Sequence, residues 1–199
     1  MLRRFIICLA ILMILPANLF AGEIFRSVND SIKINNRFMD LKTFAYHVTE
    51  KQRWSLIISN DVSVPEKEVK GNTIKEILDN FCLGSEFGWR FVKDCLYIAN
   101  ERELSTFFKQ LPVLEMRLPS GNNEATYSGY FKNIDLSMLC LFLSSVSGTQ
   151  ISVTSGFDAN IMMRVDGMPW KQVLLAVVYL NRYKLIISDF SIIISPERN

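Results

Sequence analysis

The sequence has only one histidine and none of the common catalytic or ligand-binding motifs. It has no glycine-rich phosphate loop, no nucleophile elbow, no paired-histidine zinc motif and no calcium-binding loop. Its four cysteines form neither a CxxC pair nor a Cys/His cluster, which argues against a zinc site. We therefore predict a non-enzymatic protein with no catalytic residue, no cofactor and no metal ion.

A surplus of charge is also absent. The chain has 22 basic and 20 acidic residues, and Arg3 and Arg4 account for the whole difference. Beyond them the chain is neutral overall, so it has no bulk electrostatic attraction to nucleic acid. Aromatic residues, in contrast, are plentiful. The 14 Phe, 3 Trp and 6 Tyr exclude intrinsic disorder, because they supply enough apolar surface to bury.

Long apolar runs are missing everywhere except at the N-terminus. There, two arginines precede an apolar run from Phe5 to Leu15, which Pro16 ends, and Ala21 offers a small residue before a cleavage site. The run is too short to cross a hydrocarbon core of roughly 30 Å as an ordinary membrane helix. We predict a signal peptide at residues 1–21 and an exported product that meets a membrane only through partners or an uncleaved signal.

An internal repeat organises the rest of the chain. Asp40 precedes an apolar stripe with helical spacing, and the same pattern follows Asp135, 95 residues later. The first stripe is Leu41, Phe44, Ala45 and Val48, and the second is Leu136, Leu139, Cys140 and Leu143. Each aspartate stands where a helix N-cap belongs, and we favour capping over a catalytic carboxylate pair.

A second helix and a hairpin follow in each copy, now with a shift of 96 residues. The matching stripes are Ile74, Ile77, Leu78, Phe81 and Cys82, and then Trp170, Val173, Leu174, Val177 and Val178. Each copy predicts the order strand, helix, strand, strand, helix, strand, strand. We predict an α+β fold of two small repeated modules, each with two helices packed on a three- to five-stranded mixed sheet.

The break between the copies is rich in turn residues. Pro112, Pro119 and the cluster Ser120–Asn123 predict a linker, with one short strand at Val113–Leu118. The predicted divisions are the signal peptide at 1–21, a first module at 22–103, a linker at 104–124 and a second module at 125–199.

The two copies differ in charge, since residues 22–110 carry 26 charged side chains and residues 111–199 carry 14. The helix that begins at Leu136 has no charge through Val146, and Leu141 and Phe142 lie outside its core stripe. A helix that is apolar on more than one side is covered by something. We therefore predict an interface at Leu141 and Phe142, with another domain or another subunit.

The cysteines that remain after cleavage would enter an oxidising compartment. Cys82 ends the second helix of the first copy, and Cys95 begins the last strand, which returns under that helix. We predict that they lie close together, either as a disulfide or as two buried thiols. Cys140 matches Ala45 on the buried stripe and is predicted to be an inert thiol.

Three further features have a chemical interpretation beside a structural one. His47 could be a general base, but we favour a surface or boundary position. Trp170 could stack on a ligand, but its place in the helical stripe favours the core. The charged segment Glu66–Glu68 predicts either a docking edge or a strand protected against unwanted pairing, and we favour protection.

One segment resembles a known family. Asn160–Leu174 has a strand, a turn with Pro169 and Trp170, and an amphipathic helix, in the order found in the periplasmic N-terminal modules of secretins. These are the outer-membrane channel subunits of type II and type III secretion systems and type IV pili. Phe131–Leu136 is similar to that family's approach to its first helix. The first copy resembles the short N-terminal domain shared by secretins and signalling TonB-dependent receptors.

The resemblance covers about residues 31–100 and 125–197 and implies a periplasmic protein associated with the outer membrane. It would act by homo-oligomeric ring assembly or by docking onto a secretin or another secretion-system protein. The alternative that it implies is a signalling or binding module related to the regulation of TonB-dependent receptors. A secretin continues into a β-barrel, and this chain has no glycine-rich alternating strands of that kind. We therefore expect it not to form the pore by itself.

Overall fold

The computed structural model describes residues 27–32 and 38–197, so the predicted signal peptide lies outside the described residues. The helices are α1 (Leu41–Gln52), α2 (Ile74–Cys82), α3 (Glu101–Arg117), α4 (Leu136–Ser147) and α5 (Trp170–Leu180). The strands are β1 (Phe38–Met39), β2 (Ser55–Ile58), β3 (Lys67–Glu68), β4 (Phe87–Val92), β5 (Cys95–Asn100), β6 (Thr126–Asp135), β7 (Gln150–Val153), β8 (Asn160–Pro169), β9 (Tyr183–Ile187) and β10 (Ser191–Pro196).

The strands form three sheets, with the orders β1-β3, β4-β5-β2-β8-β6 and β7-β10-β9. The five-stranded sheet takes three strands from the first half of the chain and two from the second. Within it, β2 runs parallel to β5 and antiparallel to β8, so the sheet is mixed. The general α+β class predicted from the sequence is therefore confirmed. The contact between β2 and β8, which joins the halves, was not predicted.

Each face of the five-stranded sheet carries its own hydrophobic core. Along β5, Leu96 and Ile98 belong to the core beneath α1 and α2, which also takes in Met39 of β1. Cys95 and Tyr97 point the other way, into a larger core with α3, α4, α5 and the three-stranded sheet. Because both faces are covered, all four residues of β2 are buried, as expected for a strand in the interior of a layered fold.

The two halves have the same element order and the same strand pairings. The parallel pair β2–β5 in the first half corresponds to the parallel pair β7–β10 in the second. Leu56 lies opposite Leu96 and Ile151 lies opposite Ile192, which are the same partners after shifts of 95 and 96 residues. The pairs β1–β3 and β6–β8 are both antiparallel. The hairpin β4–β5 likewise matches β9–β10.

The starts of α1 and α4 agree with the predicted capping. The Asp40 carboxylate accepts a hydrogen bond from the Thr43 amide at 2.9 Å. The Asp135 carboxylate accepts one from the Ser137 amide at 2.6 Å. Each bond satisfies an amide that has no partner within its helix, so both capping predictions are confirmed.

The short strand predicted at Val113–Leu118 is wrong, because those residues end α3 and follow it. This helix spans most of the predicted linker and has Pro112 in its interior. Proline removes one backbone hydrogen bond from a helix. Burial of Leu104, Phe107 and Leu114 in the larger core offsets that loss. Their spacing of three and seven residues was the signal for a helix, and the prolines and the turn cluster concealed it.

Candidate interaction surface

The uncharged helix α4 exposes the two residues that the sequence marked. Its core face buries Leu136, Leu139, Cys140 and Leu143, while Leu141 is 60% exposed and Phe142 is 39% exposed. Between Asp135 and Asp158 the chain has no charged residue at all. Exposed apolar side chains without neighbouring charge are typical of a surface that contacts another protein.

Leu141 and Phe142 lie on different flanks of α4. The Phe142 ring stacks on Phe131 of β6, with ring centroids 6.2 Å apart and an angle of 12° between the planes. Leu141 comes one residue earlier, about 100° around the helix. It shares a flank with Ser144, three residues later, and this flank lies beside β7. The two predicted interface residues therefore belong to two neighbouring surfaces.

On the outer edge of β7, Ser144 bonds to the backbone of Ile151. Among the described residues, β7 pairs with β10 on one side only. On the other side the Ile151 amide donates to Ser144 Oγ at 2.8 Å. The same Oγ lies 3.1 Å from the Ile151 carbonyl oxygen and 2.7 Å from the Cys140 carbonyl oxygen, and its single proton can serve one of them. A serine side chain thus satisfies backbone groups that a neighbouring strand would bond.

The corresponding edge in the first half is occupied by a strand. Leu56 of β2, which matches Ile151, lies opposite Arg164 of β8. Thr49 matches Ser144, and its Oγ1 donates back to the Ala45 carbonyl at 2.8 Å, as is common for a hydroxyl in a helix. A helix hydroxyl at this position therefore bonds within its own helix where the neighbouring strand is present.

The flank of α1 above that edge is also covered. Tyr46, which matches Leu141, is half-buried, and Lys132 Nζ lies 4.8 Å from the centre of its ring. Lys132 belongs to β6, in the second half of the chain. A cation over the face of a tyrosine ring is attracted by the ring electrons. The first half therefore has both a neighbouring strand and a covered flank where the second half has neither among the described residues.

Of the two alternatives predicted for Cys82 and Cys95, a disulfide or two buried thiols, the disulfide is absent: both are free thiols, with Cys95 buried and Cys82 half-buried. The reason is the alternation along β5. Cys95 points into the larger core, while Cys82 packs at the margin of the other core, so the two lie on opposite faces of the sheet. Burial raises the pKa of Cys82 to about 11 and those of Cys95 and Cys140 to about 12. Such thiols are protonated at neutral pH and unreactive, as predicted for Cys140.

The other residues with an alternative chemical role have structural positions. His47 is on the surface of α1. Trp170 is completely buried, and its indole N–H donates to the Asn122 carbonyl at 2.9 Å. Both structural interpretations are confirmed. Within residues 27–32 and 38–197, no three His, Cys, Asp or Glu side chains are placed to share a metal ion.

Among the described residues, the charged segment of β3 pairs with β1 on one side only and so lies at a sheet edge. Lys67 Nζ donates to the Phe81 carbonyl at 3.1 Å, and Glu68 forms an ion pair with Lys70 at 3.1 Å. Lys67 and Glu68 are therefore both held by contacts within the protein. Exposed charge on a short edge strand disfavours pairing with other chains.

A concavity, separate from the α4 surface, lies between α2 and β4. It is an open groove lined in part by Asp79, Cys82 and Trp89. The Asp79 carboxylate accepts from the Trp89 indole at 3.0 Å and also pairs with Lys75. Because its charged groups are partnered within the protein, this groove is a weaker candidate for binding than the α4 surface.

Comparison with protein-family models, curated proteins and solved structures finds no match to this chain. In the part of the chain that the structure describes, none of the helices has the length and apolar character needed to span a bilayer.

Proposed function

We propose that this protein is a non-enzymatic periplasmic component of a secretin-type secretion or type IV pilus machine. It acts by ring assembly or by docking onto a secretin or another secretion-system protein. The observation that carries the proposal is the shared element order and strand pairing of the two halves. The resemblance of Asn160–Leu174 to secretin N-terminal modules supports it, as does the predicted signal peptide at 1–21.

In this proposal the two halves are copies of one module, and their edges and helix faces are the working surfaces. The internal pairing of β2 with β8 provides an example of such modules joining edge to edge. The flank of α4 with Leu141, and the neighbouring surface with Phe142, would meet a partner. Covering two such side chains contributes a few kcal/mol at most, which biases association without fixing its affinity.

The test replaces both exposed residues, as Leu141→Glu with Phe142→Glu, in the native host. The protein is tagged at its C-terminus, cross-linked in whole cells and purified, and its partners are identified by mass spectrometry. We expect wild type to bring down secretin-machine components and the double variant to lose them. The control is Val113→Glu with Met116→Glu, which changes two exposed apolar residues of α3, away from both candidate surfaces. If the folded double variant retains its partners, the interface lies elsewhere.

The alternative is a signalling or binding module related to TonB-dependent receptors, which the resemblance of the first half favours. The open groove beside β4 belongs to that half and would be its docking surface. The same cross-linking experiment separates the two functions. Recovery of a receptor barrel or a membrane-bound regulator, without any secretion component, would replace the first proposal with this one.

A further inference from the structure

We propose that the β7 edge and the Leu141 flank of α4 form a two-fold interface with a second copy of this chain. In this interface the β7 strands of the two copies pair antiparallel, and the Leu141 side chains cover each other's α4 flank. The inference deepens the proposed function, because it rests on α4 as a contact surface and names the partner.

The first support is the antiparallel pairing of β2 with β8 within the chain, which we call the joint. At the position of β7 in the first half, β2 has an antiparallel neighbour in β8, and Tyr46 lies beneath Lys132 of β6. The matching edge and the matching residue, Leu141, lack such cover within the described residues. The joint demonstrates that this edge geometry accepts an antiparallel strand together with a covered helix flank.

The second support is the hydroxyl of Ser144, which bonds to the Ile151 backbone where a neighbouring strand would bond. In the first half, the Thr49 hydroxyl bonds only to carbonyl oxygens of its own helix, and Leu56 pairs with β8. In the other half, Ser144 also takes the Ile151 amide. If a docking strand takes over the Ile151 backbone, the Ser144 hydroxyl can still donate to the Cys140 carbonyl oxygen, which lies 2.7 Å away. In the single chain the Ile151 amide is therefore bonded by Ser144, and a strand from a second copy could replace that bond.

Charge decides which strand would dock. The surface from Leu136 to Phe157 carries no charge, so two copies can meet across a two-fold axis without placing like charges together. The head-to-tail alternative would use β3, the counterpart of β8, from the next chain. It would place Glu66 and Glu68 where Met162 and Arg164 lie in the joint, facing the apolar flank of α4. Packing the Glu66 and Glu68 carboxylates against the exposed Leu141 side chain would remove them from water without a partner, which is unfavourable. We therefore favour the two-fold pairing of β7 with β7.

The geometry of β7 fixes the register of the pair. Ile151 and Val153 face the core, so their alternation leaves Gln150 and Ser152 on the opposite side of the strand. The outward backbone groups of β7 belong to Ile151, which Ser144 now satisfies, and to Val153, two residues later. Antiparallel pairing of Ile151 with Val153 of the second copy places Ser152 opposite itself on the axis. This is a non-hydrogen-bonded pair, in which side chains approach most closely.

A single cysteine tests this register. Ser152→Cys is introduced together with Cys82→Ala, which removes the half-buried native thiol, and the exported full chain is oxidised mildly. Opposed side chains in such a pair have Cβ atoms about 4.5–5.5 Å apart, near the range of a disulfide. We expect a disulfide-linked dimer on a non-reducing gel. The matched control is Gln150→Cys in the same background, which faces the same side but would lie opposite Thr154.

Three outcomes would overturn the proposal: no dimer with Ser152→Cys, equal dimer with Gln150→Cys, or a ladder of multimers when Ser152→Cys is combined with Lys67→Cys. The ladder would establish head-to-tail growth through β3, which a two-fold interface forbids. A dimer from Ser152→Cys alone, with no ladder from the combination, is the expected result.

Solution mass provides the second measurement. Sedimentation velocity of the full chain over a range of concentrations is expected to show a monomer–dimer equilibrium. Leu141→Lys should weaken it by roughly tenfold or more, because an apolar contact is lost and like charges meet on the axis. Phe142→Lys, on the flank that faces Phe131, should change it by less than about threefold. Circular dichroism confirms that both variants fold.

The failure of this inference is distinguishable from that of the proposed function. If the chain is monomeric at all concentrations and yet Leu141→Glu with Phe142→Glu loses a secretion partner in cells, the surface is a docking site for another protein. The proposed function would then stand without the dimer. If the dimer forms and no secretion component is recovered, the dimer stands without the proposed function.

Discussion

The edges of β2 and β7 occupy matching positions in the two halves and have different neighbours. The β2 edge has β8 beside it and is buried on both faces, whereas β7 is closed by a serine hydroxyl. The side chains differ accordingly. Tyr46 lies half-buried under Lys132, and its counterpart Leu141 is exposed. Similar local patterns therefore build both halves, and the residues on a few edges decide what each half joins.

The difference also appears in the composition of the helices. The flank of α1 carries Lys42, Glu50 and Lys51, and Lys42 Nζ donates to the Asn60 carbonyl at 3.0 Å. No residue of α4 is charged. A helix beside an occupied edge can keep charge on its solvent side, since its contacts are already made. The absence of charge on α4 is the property expected of a surface that still has a contact to make.

The largest effect is expected from a charge placed in the joint. Met163 of β8 is fully buried and lies opposite Ile57 of β2. Met163→Asp would bury a carboxylate with no partner, which costs roughly 3–5 kcal/mol or more of unfolding free energy. Urea denaturation measures the loss, and Met163→Leu should cost less than about 1.5 kcal/mol.

The free edge supplies a contrasting position for that experiment. Ser152 matches Ile57 and is half-exposed on β7. Ser152→Asp should change the unfolding free energy of the monomer by less than about 0.5 kcal/mol, because water still reaches the carboxylate. Equal losses from Met163→Asp and Ser152→Asp would mean that the two edges do not differ in the way described.

A somewhat smaller effect is expected from α3, which adds a third helix to one core only. Phe107 is buried, with its ring centroid 6.1 Å from that of Tyr97 and 5.0 Å from that of Phe108. Phe107→Ala should lower the unfolding free energy by about 3 kcal/mol, through lost burial and a cavity. The exposed Met116→Ala on the same helix should leave it nearly unchanged. A negligible loss at Phe107 would indicate that residues 101–117 behave as a linker.

The smallest effect concerns the helix starts, where the halves agree. Partial burial raises the pKa of Asp40, but hydrogen bonds from the Thr43 hydroxyl and amide outweigh burial, and the net pKa lies below its usual value. Asp40→Ala should cost about 1 kcal/mol at pH 7, and Asp40→Asn much less, because asparagine also caps.

The pH dependence of this cap has a definite sign. A carboxylate whose pKa is lowered by folding contributes stability above its unfolded pKa, near 4. That contribution is lost as the pH falls through the lower, folded value. The difference between wild type and Asp40→Ala, measured by urea denaturation, should therefore be complete at pH 7 and shrink below about pH 4. A difference that grows in acid would contradict the hydrogen-bonding origin of the shift.

The local elements were predictable from the sequence because their signals are local. Both caps, the stripes of α1 and α4, and the order of strands and helices follow from hydrophobic spacing and turn residues. The offset of 95 residues between the two predicted stripes is also the offset between the two helices, since α1 and α4 are each twelve residues long and start 95 residues apart. The exposure of Leu141 and Phe142 followed from the same spacing, because a helix has one core face.

The contacts between elements were not predictable, because spacing along a strand gives its faces but not its neighbours. The segment Ser55–Ile58 is recognisable as a strand from its apolar β-forming residues, yet nothing in it named β8 as the partner. For the same reason the sequence pattern did not indicate that Cys95 faces the core on the opposite side of the sheet from Cys82. The helix α3 was missed because proline and turn residues were given more weight than the spacing of Leu104, Phe107 and Leu114.

The pairing of β2 with β8 sets an order of events during biosynthesis. Leu56 and its partner Arg164 are separated by roughly 100 residues, which takes about 5–20 seconds to translate. If the first half forms its hairpin and helices during that interval, it still lacks the strand that completes its sheet. Its unpaired edge is the kind that recruits strands from other chains. A chaperone or export factor that keeps the nascent first half unfolded until β8 has emerged would therefore protect it from aggregation.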